Sequence, residues 1–237
     1  MRYKLYFELE KEGVPLDYHR CILSYIKLSL TEYDKKYFET LYKDNNIKPF
    51  TFSVFLNGAF FNKDIILVKE KKFELNISTS DYNLAVILYN SFNNFINRKF
   101  PLNNNYMILK KICLMPEKNI TTNNIKIKFL SPLVVRDRDR KARKDYYHSF
   151  SSDQFLEKLK ININEQIKKC NFNSDILDDF NLIPILPKKT VVKFYEKQIE
   201  CSLGIYMLHG KKELLEYLYK AGIGSKRSSG FGMFQII

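Results

Sequence analysis

Apolar and polar residues alternate at the start of the chain. Tyr3, Leu5, Phe7 and Leu9 share one face, with Arg2, Lys4, Glu8 and Glu10 on the other, and a period of two predicts a half-buried strand. The period then changes to that of a helix: Ile22, Leu23, Ile26 and Leu30 recur every three or four residues, and Pro15 suits the first turn of that helix. Strand-like runs follow at Phe50 to Leu56, Ile65 to Val68 and Phe73 to Ile77, with Asn57-Gly58 as a turn signal between the first two. Asp81 reads as the N-cap of a second helix carrying Leu84, Leu88, Phe92 and Phe95, and Tyr106 to Met115 reads as a further strand. The order strand, helix, hairpin, helix, strand is that of a ferredoxin-like unit.

The second half repeats this order. Ile125, Ile127 and Phe129 alternate with Lys126 and Lys128, and Phe155, Leu159, Ile163 and Ile167 mark a helix. Val191 to Tyr195 and Ser202 to Leu208 suit a hairpin, and a helix from Lys211 and a short apolar terminus complete the set. Pro116-Glu117-Lys118-Asn119 interrupts both patterns. The expected fold is therefore α+β, two tandem ferredoxin-like (RRM-like, βαββαβ) domains, residues 1–117 and 118–237, each of ordinary size for a domain.

Composition narrows the partner. In 237 residues, 45% hydrophobic and 15% aromatic content suffices for two cores, and a formal net charge of +13 favours polyanions such as nucleic acid over acidic small molecules. The four cysteines (Cys21, Cys113, Cys170, Cys201) and three histidines (His19, His148, His209) are scattered without metal-ligand spacing, so neither a metal nor a cofactor is expected. No apolar run is long enough to span a bilayer and the first residues alternate too strictly for a signal peptide, which points to a cytoplasmic protein without a membrane partner.

Four of the eight glycines fall within Gly222-Ile223-Gly224-Ser225-Lys226-Arg227-Ser228-Ser229-Gly230-Phe231-Gly232. Glycine lets a backbone turn sharply and aim amide N–H groups at an anion, while Lys226 and Arg227 add charge and Ser225 and Ser228 add small donors. Taken alone, Gly222 is better read as a helix C-cap; the second pair, Gly230 and Gly232, is what suggests an RNA-contacting loop that also includes Gly224. Five residues between Gly224 and Gly230, and a helix in front, exclude the P-loop and dinucleotide templates. A second basic run contains Arg136, Arg138, Arg140, Lys141 and Arg143, followed by Tyr146 and Tyr147. Arginine forks grip phosphates and tyrosines stack on bases, so this run is expected to be a mobile RNA-gripping loop; Asp137 and Asp139 could instead neutralise it.

The double ferredoxin-like order ending in this glycine loop resembles the CRISPR-associated endoribonucleases of the RAMP superfamily, which process repeat RNA. Val14-Pro15-Leu16-Asp17-Tyr18, Lys48-Pro49-Phe50-Thr51-Phe52-Ser53 and Ser131-Pro132-Leu133-Val134-Val135 are similar to that family's landmarks, in the same order, so the resemblance covers essentially the whole chain. It implies metal-independent cleavage by 2′-OH attack, leaving a 2′,3′-cyclic phosphate and a 5′-OH. It also implies repeat precursor RNA and guide RNA as partners, admits CRISPR effector proteins as further ones, and fits a monomer or homodimer. The family's usual histidine falls on Tyr42, a poor base because a phenol titrates near 10. Lys48 matches a phosphate-facing lysine, and Lys27 a position near the scissile phosphate.

Lys27, Tyr42 and Lys48 are thus the expected catalytic group, the lysines stabilising the transition state and Tyr42 positioning or donating a proton. His19 lies about 12 Å along the helix from Lys27 at 1.5 Å per residue, so it is expected at the surface, touching RNA rather than the reacting phosphate. The alternative is a guide-RNA-binding subunit with weak or no catalysis, because no imidazole stands at position 42.

Overall fold

A computed structural model describes residues 1–43, 46–139, 141–142, 144–195 and 197–237. The first half runs β1 (Arg2–Leu9), β2 (Val14–Pro15), α1 (Tyr18–Tyr33), α2 (Lys35–Tyr42), β3 (Phe50–Phe55), β4 (Phe60–Phe61), β5 (Ile65–Leu67), β6 (Lys72–Thr79), α3 (Tyr82–Asn93), β7 (Lys99–Leu102) and β8 (Asn105–Met115). The alternation in β1 places Tyr3, Leu5, Phe7 and Leu9 in a core closed by Ile22, Tyr25, Ile26 and Leu30 of α1 and Leu84, Leu88 and Phe92 of α3. The antiparallel sheet has the order β3-β6-β1-β8-β7. Asp81 caps α3, its carboxylate accepting the Leu84 N–H at 3.0 Å.

The second half runs β9 (Asn124–Phe129), β10 (Val135–Asp139), β11 (Lys144–His148), α4 (Phe155–Ile167), β12 (Asn181–Phe194), β13 (Lys197–His209), α5 (Lys212–Ala221), a 3₁₀ turn over Arg227–Ser229 and β14 (Phe234–Ile236). Its sheet has the order β12-β13-β9-β14. Without β7 and the small strands, both sheets place the second, third, first and fourth strands of a ferredoxin-like unit side by side, as expected from the repeated element order.

Three sequence readings are corrected. Pro15 lies in β2, paired with Ile65, and α1 begins only at Tyr18; a residue without an N–H is tolerated at the end of so short an edge strand. Ile65–Leu67 does not form a hairpin with β3: β3 pairs with β6, while β4 and β5 close a small side sheet with β2. β12 is longer than expected, passing through Pro184 and Pro187, because it is an edge strand with a bulge between Pro184 and Leu186.

Polar contacts tie the halves together. The guanidinium of Arg2, buried and stacked 3.7 Å over the Tyr219 ring, donates to the carbonyls of Tyr219 at 2.7 Å and Phe234 at 2.6 Å. Thr51 Oγ1 donates to Phe231 O and Ser78 Oγ to Lys220 O. Among the described residues, no helix is long and apolar enough to cross a membrane.

Candidate active site

Lys27 and Lys48 converge on one aromatic ring. Lys27 projects from α1, Tyr42 ends α2 and Lys48 precedes β3; the ammonium groups lie 5.0 Å and 4.7 Å from the Tyr42 ring centroid. An electron-rich ring face attracts both cations and holds two like charges near each other. Burial, and then the charge of Lys27, push the Lys48 pKa down. The Lys48 ammonium donates to Asn46 O at 2.9 Å. Tyr42 packs on Phe38, and its enclosed hydroxyl has no partner among the described residues; burial drives its pKa up. The ring, and not the hydroxyl, is what Tyr42 presents to the lysines.

Lys48 also lines a cavity of about 270 Å³ between the halves, together with Asn46, Ile47, Arg136, Asn162, Glu165, Gln166, Gly224, Lys226, Arg227 and Ser228. Four cations face one carboxylate, and Glu165 is already paired with Lys168 at 2.6 Å, so the cavity suits an anion. Lys226 packs its ammonium over Phe194, 5.2 Å from the ring centroid, and burial and then Arg136 lower its pKa. A second cavity of about 450 Å³, between Arg2, Ser53, Glu74, Glu117 and Tyr219, contains neither lysine of the cluster.

The glycine loop differs from its sequence reading. The N–H groups of Gly222, Ser225, Gly230 and Gly232 donate to Leu218 O, Val134 O, Arg227 O and Pro132 O, so they cannot serve an anion. The loop is pressed between the halves, and buried amides must find partners there. Gly230 and Gly232 have φ of +91° and +70°; a Cβ on Gly230 would meet Phe52 at 2.5 Å, and one on Gly232 would meet Ile223 O at 1.9 Å. Gly222 caps α5 with φ +79°. Arg227 is turned inward, 6% exposed, its guanidinium bonded to Ala221 O at 2.7 Å. What the loop offers the cavity is Gly224, Lys226, Ser228 and one edge of Arg227.

His19, expected at the surface, is 3% exposed. It stacks between Tyr18 and Phe231, at 4.2 Å and 5.0 Å between ring centroids, because the start of α1 packs on the glycine loop. Burial, partly opposed by a hydrogen bond to the Gly230 backbone, lowers its pKa to about 4.

The basic run is not a loop: β10 and β11 pair from Val135↔His148 to Asp139↔Lys144. Arg136 lines the cavity, while Arg138 and Lys141 are exposed farther along the ribbon. Arg140 and Arg143 lie outside the described residues. The aspartates are engaged: Asp137 pairs with Lys158 at 3.2 Å, and Asp139 accepts the N–H groups of Lys141 and Ala142.

Sequence reasoning missed the role of α4. Asn162 Oδ1 accepts from Arg136 N–H at 2.9 Å and from Ser225 Oγ at 2.6 Å, and its Nδ2 donates to Arg136 O at 2.7 Å. Gln166 donates to Gly222 O at 2.8 Å. The signal was a polar pair at i and i+4 beside the apolar stripe of the helix.

Two ferredoxin-like units with a glycine loop at their junction and a cationic cleft beside it define a tandem RAMP-type protein. The family model "CRISPR associated protein Cas6, C-terminal" matches residues 115–236, more than half of the chain, and the chain belongs to that family. A curated relative, CRISPR-associated endoribonuclease Cas6 1 of Methanocaldococcus jannaschii, is 24% identical over 98% of this chain and 93% of its own length. Among solved structures, a RAMP protein described as binding different RNA substrates superposes with a TM-score of 0.87 at 19% identity, covering 100% of this chain and 99% of its own. The product of a Cas6-related gene from Pyrococcus furiosus gives 0.86 at 21% identity, covering 100% and 98%.

Proposed function

We propose that this protein is an endoribonuclease that cuts CRISPR repeat precursor RNA without a metal ion, with residues 1–117 and 118–237 acting as two domains that grip the RNA at their junction. The observation that carries this reading is the pair of ammonium groups, Lys27 and Lys48, over the Tyr42 ring beside the cationic cavity. The 2′-oxygen attacks the adjacent phosphorus, the O2′–P bond forms and the P–O5′ bond breaks, giving a cyclic phosphate and a 5′-OH. Lys48, with its lowered pKa, accepts the 2′-OH proton as the neutral amine. Lys27 offsets charge on the phosphorane and protonates the departing 5′-oxygen. Tyr42 spaces the two lysines, and Arg136, Lys226 and Ser228 hold neighbouring phosphates.

The test is end-labelled repeat RNA incubated with the protein in EDTA. Expected are product carrying a 2′,3′-cyclic phosphate and no cleavage of RNA with a 2′-deoxy sugar before the cut site. Tight binding without product would favour the second reading, a guide-RNA-binding subunit. That reading draws on the enclosed Tyr42 hydroxyl and on the cavity lining, which includes none of the three histidines.

A further inference from the structure

Lys169 stands in the turn that leaves α4, the helix whose Asn162 bonds to Arg136 and Ser225. Its ammonium donates to Asn46 Oδ1 at 2.7 Å, across the junction between the halves. Asn46 O in turn accepts the Lys48 ammonium at 2.9 Å. The chain Lys169–Asn46–Lys48 is therefore continuous from the second half to the lysine cluster of the first. We infer that Lys169 is a positioning residue for the cleavage reaction: by pinning Asn46 it fixes, from the opposite half, where the Lys48 ammonium sits. The inference rests on the endoribonuclease reading for its kinetic consequence, but not for the contact itself.

Magnitudes separate this role from a merely structural one. Lys169 is exposed, and an exposed polar contact contributes only about 0–1 kcal/mol to stability. A displacement of about 1 Å at a reacting group, in contrast, can cost on the order of 100-fold in rate. Among the described residues, the hydrogen bonds donated by Asn46 are from its N–H to Lys43 O at 3.0 Å and from its Nδ2 to Thr40 O at 3.4 Å.

The experiment compares the full chain with Lys169→Ala and Lys169→Arg in single-turnover cleavage of repeat RNA, with RNA Kd measured separately. Expected for Lys169→Ala is a cleavage rate lower by about tenfold with Kd changed less than about threefold, and recovery of most of the rate in Lys169→Arg. In a Lys48→Ala background, Lys169→Ala should add no further loss. Weakened binding with an unchanged rate for bound RNA, or losses that simply add, would overturn the inference. A second measurement is independent of cleavage: in protein with labelled lysine side chains, the Lys48 resonance should move and titrate at higher pH in Lys169→Ala. An unmoved Lys48 resonance overturns the inference. A wild-type chain that cuts no RNA overturns the endoribonuclease reading and leaves the decision on Lys169 to the resonance alone.

Discussion

The glycine loop and the β10–β11 ribbon are both basic and both read from sequence as RNA contacts, yet the fold treats them in opposite ways. The loop is largely a seam: the amides of Gly222, Ile223, Ser225, Gly230 and Gly232 bond to protein, Phe231 is fully buried between Phe194 and His19, and Arg227 points inward. The ribbon stands out: among its described arginines and lysines, Arg138 and Lys141 are exposed and Arg136 is drawn into the cavity. Charge and glycine content are thus poor guides to which residues of a segment are buried in the seam and which face the cavity or solvent. What differs is packing, since the loop lies where two cores meet and the ribbon lies beyond them.

The most severe way to test that contrast is Gly232→Val, which places a side chain against Ile223 O at a positive φ. The expected loss is roughly 3 kcal/mol or more, seen as a collapse of Tm and of soluble yield. A stable, well-folded Gly232→Val would mean that the seam is loose. Next is Lys48→Ala: the cleavage rate of bound RNA should fall on the order of 100-fold while Kd stays nearly constant. In the proposed mechanism the neutral amine of Lys48 is the reacting form, so the wild-type rate should rise with pH towards its lowered pKa. Lys48→Arg should flatten that rise, and a rate independent of pH in the wild type would remove Lys48 as base.

His19 gives a smaller and reversible effect on the seam. Its folded pKa, about 4, lies below the ordinary histidine value, so the unfolded chain binds the proton first. Stability is therefore full above about pH 6.5 and falls as pH drops towards 4, by about 2 kcal/mol between pH 6.5 and 5. Denaturation across that window measures it, and His19→Phe should remove the corresponding part of the slope. The mildest change is expected on the ribbon: Arg138→Ala or Lys141→Ala should weaken RNA binding a few-fold and lower the salt slope by about one, leaving the rate for bound RNA unaltered.

Much of the architecture was legible along the chain because each half buries one face of its strands and one stripe of its helices, and burial leaves a period. The alternation in β1 and β9, the Asp81 cap and the stripes of α3, α4 and α5 all appear where the pattern placed them. The strands at Val14–Pro15 and Phe60–Phe61 escaped because two-residue strands carry no period, and the run at Ile65 reads as a strand along the chain but does not reveal its partners β2 and β4. Lys27, Tyr42 and Lys48 could be named only through a resemblance to known proteins, since two lysines twenty-one residues apart have no pattern of their own. Asn46, Asn162 and Lys169 could not be named at all. They are ordinary polar residues whose importance is a matter of which neighbour they face.

The amino-acid order alone determined the twofold repetition of strand and helix and the excess of positive charge, because local periodicity and composition are properties of the chain. The tertiary structure decided which glycines became a buried seam, that His19 went inside, and that two lysines and a tyrosine from three separate elements meet beside a cavity. These outcomes depend on how two cores press together, and contact between residues distant in sequence leaves no local trace.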